Sequence, residues 1–453
     1  MILSESIRRT PLPYDFSRGQ ALSSDFGATG VFSDLLIGIG GNSSFLSDIL
    51  RKEQTWVTNA VLLEDPLKNV VPKGMGDATG ELLRQSKRRV AGYLGLAELS
   101  GALTLTQTTQ ALTDFADQAV EAAFKAALAP YLASGKLPSD NRLFVIAMGK
   151  MGAGELNYSS DIDLIVMFDD RSLDSWEAAH RRQILVRATR TATKILNDVN
   201  QHGYVFRTDL RLRPDPSVTP ICVGMTSALD YYESLGRTWE RAAFIKARVC
   251  AGNREAGSEF LSQMIPFVWR RHLDFAAIEE AHALRLKIRT KTGTHGKIIV
   301  PGHDVKLGRG GIREIEFYTQ TRQLISGGRD PELRGLQTLN ALVSLTSKNW
   351  VTSEHNALLQ KSYVYLRHVE HVIQMVHDAQ TQTIPVGTDA LRRVAGLLGM
   401  ELDEFVEQTE EHLNLVHSLT EPFFAPGPAG ESEIGVVEET TITQNWPSYA
   451  AMR

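Results

Sequence analysis

The sequence predicts an α+β protein, mostly helical, with a small mixed sheet in the middle of the chain. Three observations carry that expectation. Apolar residues recur at helical spacing before about residue 135 and again after about residue 265. Between these stretches stand short apolar runs bounded by glycine, proline and charged residues, as strands are. One long amphipathic segment separates the second run from the third, so the middle reads strand, loop, strand, helix, strand.

Taken in order, Leu112, Phe115, Ala119 and Ala123 step by three and four, and Leu82, Val90 and Leu94 do so less cleanly. Glycines at 38, 40, 41 and 101 are read as punctuation between these helices, and Lys87-Arg88-Arg89 as a solvated helix face. Leu143-Phe-Val-Ile-Ala-Met148 reads as the first strand, Gly149 to Ser160 as a glycine-bearing loop, and Asp161 to Phe168 as the second strand. Ile184, Leu185, Ala188, Ala192, Ile195, Leu196 and Val199 form one face of a long helix, for which His202-Gly203 is a plausible stop. A third strand runs from Tyr204 to Arg211 and ends by Pro214, and Trp239 to Arg248 reads as a further helix. Leu358, Ser362, Tyr365, Leu366, Val369, Ile373 and Val376 then keep a single stripe, as in a helical bundle. The Pro/Gly-rich stretch after Ala425 reads as a linker or tail.

Composition narrows the function classes. The 453 residues are 43% hydrophobic and 22% charged, with a net charge of −5, so a folded chain of two or three domains is expected. A slightly acidic chain is poorly suited to general nucleic-acid binding, and no run approaches the ~18 consecutive apolar residues of a membrane span. Two cysteines without a CxxC pair exclude a disulfide framework and a cysteine zinc site. No signal peptide is expected from the first residues, and the location expected is cytoplasmic.

The chemistry-bearing pattern lies around the second and third strands. Asp161 and Asp163 are two apart on a strand, so both side chains leave one face while Ile162, Leu164 and Val166 turn to the core. Adjacent carboxylates repel unless a cation lies between them, and hard oxygen ligands suit Mg²⁺. Exposed strand-edge aspartates are the plain alternative. The third strand would place Arg207, Asp209, Arg211 and Arg213 on one face, either as a surface ladder of ion pairs or as a third carboxylate among phosphate-binding arginines. The loop ahead of them offers glycine backbone, Lys150 and the Ser159-Ser160 hydroxyls to a phosphate, although it is neither a Walker A loop nor an ordered GxGxxG. His368, His371 and His377-Asp378 invite a metal-phosphohydrolase reading, but the first two lie at the edge of a bundle stripe without a second His-Asp pair at helical spacing.

A glycine-rich turn, Ser-Ser and then Asp-x-Asp on a strand is the order found in polymerase-β-like nucleotidyltransferases. More narrowly, Gly149-Lys-Met-Gly-Ala-Gly-Glu-Leu-Asn-Tyr-Ser-Ser-Asp-Ile-Asp-Leu164 resembles the signature of the glutamine synthetase adenylyltransferase family. So do Arg207-Thr-Asp-Leu-Arg-Leu-Arg-Pro214, Trp239-Glu-Arg-Ala-Ala-Phe-Ile-Lys-Ala-Arg248, Lys306-Leu-Gly-Arg-Gly-Gly-Ile-Arg-Glu-Ile-Glu-Phe317 and Asp378-Ala-Gln-Thr-Gln-Thr-Ile-Pro385. These blocks stand in family order over about residues 30 to 420. The sequence departs from the family after Pro214, where Asp215-Pro-Ser-Val-Thr219 replaces a turn that is often glycine-rich.

The resemblance implies a polymerase-β-like nucleotidyltransferase core with a mixed sheet, flanked by helical bundles. Asp161, Asp163 and Asp209 would be catalytic and bind Mg²⁺, as two ions. Gly149, Lys150, Ser159, Ser160, Arg211 and Arg213 would contact the phosphates of ATP or ADP. Read from the residues themselves, Lys306, Arg309 and the Gly310-Gly311 amides at a helix entry form either a site for inorganic or nucleotide phosphate, with Glu314 and Glu316 orienting the arginines, or a glycine-rich turn with surface cations. Lys246 and Arg248 either reach nucleotide phosphates or lie on a solvated face. The Arg-Glu-Ile-Glu-Phe317 form and an arginine two residues before Asp209 resemble the first of the family's two halves. That half implies phosphorolysis of adenylyl-tyrosine on glutamine synthetase, releasing ADP. ATP-dependent adenylylation, or a docking role toward glutamine synthetase and the PII signal protein, are the alternatives. The domains expected are a helical region 1–137, a nucleotidyltransferase domain 138–258, a helical bundle 259–424 and a linker or tail 425–453. The length fits one catalytic half, and no second Ser-Ser-Asp-x-Asp is found in it.

Overall fold

A computed structural model of the chain describes residues 2–270 and 297–424. The expected tail, and the part of the bundle between 271 and 296, lie outside the described residues. The chain forms two compact units, Met1–Val268 with Met375–Gln380, and Trp269–Gln374 with the chain from Thr381 onward.

The first unit opens with six helices: α1 Phe16–Asp25, α2 Gly30–Asn42, α3 Ser44–Lys52, α4 Gln54–Ala60, α5 Thr79–Leu99 and α6 Leu105–Ala133. A capping box starts α6, in which the Thr104 hydroxyl accepts from the Gln107 N–H and the Gln107 side chain accepts from the Thr104 N–H at 2.9 Å. Its stripe of Leu112, Phe115, Ala119 and Ala123 is buried as the spacing predicts. Gly38, Gly40 and Gly41 do not separate helices but lie inside α2. A Cβ on Gly38 would stand 2.2 Å from the Pro11 carbonyl oxygen, so glycine there permits close packing of two backbones.

The Lys87-Arg88-Arg89 run also departs from expectation. The Glu53 carboxylate, 5% exposed, accepts from Arg88 Nε at 2.9 Å and from Arg89 Nε at 3.0 Å. Lys87 is buried with its ammonium 4.5 Å from the centre of the Phe206 ring. Neighbouring elements cover most of this helix beyond its first turn, and each cation takes a carboxylate or a ring in place of full solvation.

The sheet follows: β1 Leu143–Ala147, a short helix α7 Gly149–Gly152, β2 Ile162–Phe168, the long helix α8 Ser175–Asn197, β3 Thr208–Asp209, β4 Cys222–Gly224, α9 Met225–Ser234, α10 Thr238–Phe244, β5 Arg248–Gly252, α11 Arg254–Gln263 and α12 Ile265–Val268. Among the described residues it has five strands in the order β3-β2-β1-β5, with β4 also on β2. β1 runs antiparallel to β2 and β5, whereas β3 and β4 run parallel to β2, so the sheet is mixed as expected. β2 is buried along its length except at Asp163, because α6 and α8 cover the sheet and neighbouring strands cover its edges.

Three sequence-level elements come out differently. α8 stops at Asn197, not at His202-Gly203, because the returning chain donates Val205 N–H and Phe206 N–H to the Leu196 carbonyl; Gly203 instead turns the chain at φ +89°. The same donations shorten the third strand to two residues, since those N–H groups are spent before reaching β2. The expected helix from Trp239 to Arg248 ends at Phe244, and Arg248 begins β5.

The second unit is a bundle: α13 Ile312–Ser326, α14 Thr338–Ser347, α15 Ser353–His377 as far as Gln374, α16 Thr388–Leu397 and α17 Leu402–Phe424. α13 packs against α14 and α17, and α16 against α17. Leu366, Val369 and Ile373 of the predicted stripe are buried, and Ser362 hydrogen-bonds His412 at 3.0 Å.

Burial pushes the Lys87 ammonium down to about 8, while an unfolded lysine keeps its proton to about 10.5. Between those values the unfolded chain binds more protons, so the Lys87 contribution to stability rises with pH across that window. Lys87→Met keeps the stem over Phe206 and is expected to flatten this rise. Urea midpoints of both proteins at about pH 7.5 and about pH 9.5 check it, and equal slopes would overturn the assignment.

Candidate functional site

The pairing of β2 with β3 sets Ile162 opposite Thr208 and Asp163 opposite Asp209. In a parallel pair, residues in register send their side chains to the same face, so the third carboxylate arrives beside the second. Asp161 lies two residues upstream on that same face. Each of the three half-buried aspartates offers a carboxylate oxygen within 4.8 Å of the other two. At that spacing each pair of charges repels by on the order of 3 kcal/mol at an effective dielectric of 20. A divalent cation with hard oxygen ligands turns that repulsion into attraction, so the donor set fits Mg²⁺.

One cation of the chain already stands there. Arg211 folds back so that its N–H, Nε and Nη2 all reach Asp209, at 2.8, 2.9 and 2.5 Å. These hydrogen bonds hold the Asp209 carboxyl below the usual carboxylate range. The Arg211 side chain is 83% exposed, so this ion pair is screened by solvent and weakly held. Asp161, Asp209, Arg211 and Leu210, with Thr193 of α8, wall a cleft of about 460 Å³.

The glycine loop is tighter than the sequence suggested. Met148 N–H donates to the Asp163 carbonyl at 2.9 Å, and Gly149 follows at φ +53°. A Cβ on Gly149 would lie 2.9 Å from Asp163 Oδ2, so glycine is needed both for the dihedral and for the neighbour. Beyond Lys150 the loop turns inward, and residues 151–159 are buried. Leu156 N–H donates to Thr113 Oγ1, and the Tyr158 hydroxyl donates to the Ala91 carbonyl. Gly149, half-buried Lys150 and Ser160 are therefore the loop residues left near the outside.

Several expected ligand-binding residues are used otherwise. Ser159 is 1% exposed and takes Arg207 Nη2 on its carbonyl at 2.8 Å and on its hydroxyl at 2.9 Å. Lys246, buried, ion-pairs with buried Glu155 at 2.9 Å, which locks the loop to the chain entering β5 rather than facing a nucleotide. Arg248 is bidentate on Asp117. Arg213 spends its guanidinium on the carbonyls of Leu210, Pro216 and Thr219, tying down the 215–219 loop. Lys306 and Arg309 belong to the second unit, in the turn that enters α13 at the Gly311 cap. There Arg309 Nη2 stands 2.7 Å from His417 Nε2, while Glu314 accepts from Thr420 at 3.0 Å and Glu316 pairs with Arg313. Thr193 was missed because α8 is read from its buried face, and a cleft-facing threonine leaves no periodic signal.

The comparisons with known proteins follow the same division. Residues 42–263 match the family model described as Glutamate-ammonia ligase adenylyltransferase. Over these residues the chain belongs to that family. It is a family of nucleotidyltransferase enzymes. Residues 282–424 match a second model, GlnD PII-uridylyltransferase. A bifunctional glutamine synthetase adenylyltransferase/adenylyl-removing enzyme of Rhodopseudomonas palustris (strain TIE-1) is 42% identical over 429 residues, 90% of this chain and 43% of that protein. Proteins of the same name from Bradyrhizobium sp. (strain ORS 278) and Mesorhizobium japonicum are 42% and 46% identical, over 89% and 70% of this chain and 43% and 33% of their own lengths. The chain thus spans less than half the length of these relatives. No helix among the described residues is long and apolar enough to cross a membrane.

Gly149→Ala is expected to cost about 1–2 kcal/mol through its positive φ and to push Asp163 aside. Urea denaturation reads the first effect. Titration with Mn²⁺ reads the second, expected as a roughly tenfold weaker affinity; unchanged Mn²⁺ binding would remove Gly149 from the site.

Proposed function

We propose that the first unit carries out nucleotidyl transfer in the deadenylylating direction, on adenylyl-tyrosine of glutamine synthetase. The observation that carries this reading is the Asp163–Asp209 register, with Asp161 beside it, in a chain whose relatives are named for both adding and removing adenylyl groups. The direction rests on Arg207 two residues before Asp209 and on Arg313-Glu-Ile-Glu-Phe317, the two features that resemble a first half.

In this reaction an oxygen of inorganic phosphate attacks the α-phosphorus of the tyrosine-bound AMP. The bond from phosphorus to the phenolic oxygen breaks, the new phosphoanhydride makes ADP, and the proton of hydrogen phosphate goes to the departing phenolate. Phosphate needs little activation, so the protein's task is positioning and charge neutralisation. Asp161, Asp163 and Asp209 would hold Mg²⁺, as two ions in this reading. The metal would supply Lewis-acid polarisation of the phosphoryl oxygens. In this reading Arg211 would leave Asp209 for a phosphate oxygen, and the Gly149 backbone, Lys150 and Ser160 would meet the nucleotide phosphates.

The match of residues 282–424 to a PII-uridylyltransferase model supports a role for the second unit toward the PII signal protein. We place the reaction in the cytoplasm. ATP-dependent adenylylation by the same site is the rival within the relatives' names.

The test supplies adenylylated glutamine synthetase, phosphate and Mg²⁺ and measures ADP. Wild type is expected to release ADP, and Asp161→Asn and Asp209→Asn are each expected to lose about 100-fold or more in rate. AMP incorporation from ATP into unmodified glutamine synthetase, without ADP release in the first assay, would reverse the direction; equal rates for wild type and Asp161→Asn would overturn the site.

A further inference from the structure

A second polar cluster lies directly behind the carboxylates. Ser159 precedes Asp161 by two residues, and Arg207 precedes Asp209 by two. The bonds from Arg207 Nη2 to the Ser159 carbonyl and hydroxyl therefore clasp both carboxylate-bearing segments at equivalent points. Ile162 N–H donates back to the Arg207 carbonyl at 2.8 Å and closes the clasp. The guanidinium is itself held by Tyr204, through a 2.9 Å bond from Nη1 to the hydroxyl, with the ring centre 5.0 Å away.

This assembly ends on Asp378, 174 residues from Tyr204 in sequence. The Tyr204 hydroxyl donates to Asp378 Oδ2 at 3.1 Å, and the Ser159 hydroxyl reaches the Asp378 carbonyl at 3.4 Å. Asp378 adopts φ +51°, the left-handed conformation with which a chain commonly leaves a helix end, here that of α15 at His377. Its Oδ1 and the Nε of Arg207 are buried without a hydrogen-bond partner. The cluster thus sets one carboxylate against the Arg207 and Lys87 cations, each of which interacts electrostatically at this spot.

We propose that Asp378 is a positioning residue for the transfer reaction, acting through Tyr204, Arg207 and Ser159 on the spacing of Asp161, Asp163 and Asp209. It touches neither substrate nor metal. It fixes Tyr204, Tyr204 fixes the Arg207 fork, and the fork holds the two segments that carry the carboxylates. This inference rests on the reading that the carboxylates bind a divalent cation.

The experiment measures Mn²⁺ affinity by calorimetric titration, thermal melting, and kcat and KM for ADP release, on the full chain. The variants are Asp378→Ala, Asp378→Asn and Tyr204→Phe. Asp378→Ala is expected to weaken Mn²⁺ binding about tenfold and to lower kcat by a similar factor, with KM for the protein substrate unchanged. Tyr204→Phe, a milder change that removes only the hydroxyl, is expected to reproduce the loss. Asp378→Asn keeps an oxygen acceptor for Tyr204 and is expected to restore most of the affinity. Wild-type Mn²⁺ affinity in both Asp378→Ala and Tyr204→Phe, or a lowered melting temperature with unchanged affinity, would overturn the proposal. No Mn²⁺ binding by the wild type would instead overturn the cation reading itself, so the two failures are distinguishable.

Discussion

Two residue pairs hold β3 on β2, Ile162 with Thr208 and Asp163 with Asp209. This ladder is short because its neighbours are spent elsewhere: Val205 and Phe206 cap the end of α8, and Arg211 N–H turns back to Asp209. A one-residue slip would send Asp209 to the opposite face and leave a threonine or a leucine beside Asp163. So short a ladder cannot specify its own register. Side chains and caps around it must do so, and Arg207, Asn197 (whose Oδ1 accepts from Thr208 N–H at 2.7 Å) and the α8 terminus supply that specification.

The same economy governs the charged residues of the first unit. A chain with nearly balanced charge buries Lys246 on Glu155 and pairs the partly exposed Arg248 with Asp117, and Arg88 and Arg89 with buried Glu53. Removing one partner of such a pair leaves a charge in a medium that solvates it poorly, which costs more than the intact pair contributes. These pairs cross-link elements far apart in sequence. The Glu155–Lys246 pair joins the loop after β1 to the chain entering β5, and Gly152 lies so close to the Lys246 carbonyl that any side chain there would collide. The loop beside Asp163 is consequently a packed element, with an open edge at Gly149, Lys150 and Ser160.

Much of this was legible in the sequence. The two long strands, the helix between the second and third, and the bundle stripe on α15 follow from periodicity, because burial of one face is a local property of spacing. The Asp-x-Asp pair and the third aspartate were also legible, since alternation along a strand fixes which side chains share a face. The strand ends, β4 and β5 were not. Cys222–Gly224 is three residues long, and Arg248–Gly252 follows a helix without a turn signal between them. Such segments become strands by lying against β2 and β1, which no local pattern announces.

What the sequence by itself determined is the inventory: which carboxylates, arginines and glycines stand near one another along the chain, and on which face of a strand each can lie. Tertiary structure decided their employment. Ser159, Arg213 and Lys246 have the chemistry of phosphate ligands, yet backbone carbonyls, Arg207 and Glu155 reach them inside the fold. Asp378 lies far along the chain from the aspartates, yet it terminates the cluster behind them. A buried charge must find a partner wherever the fold brings one, and that partner is set by packing in three dimensions rather than by distance along the chain.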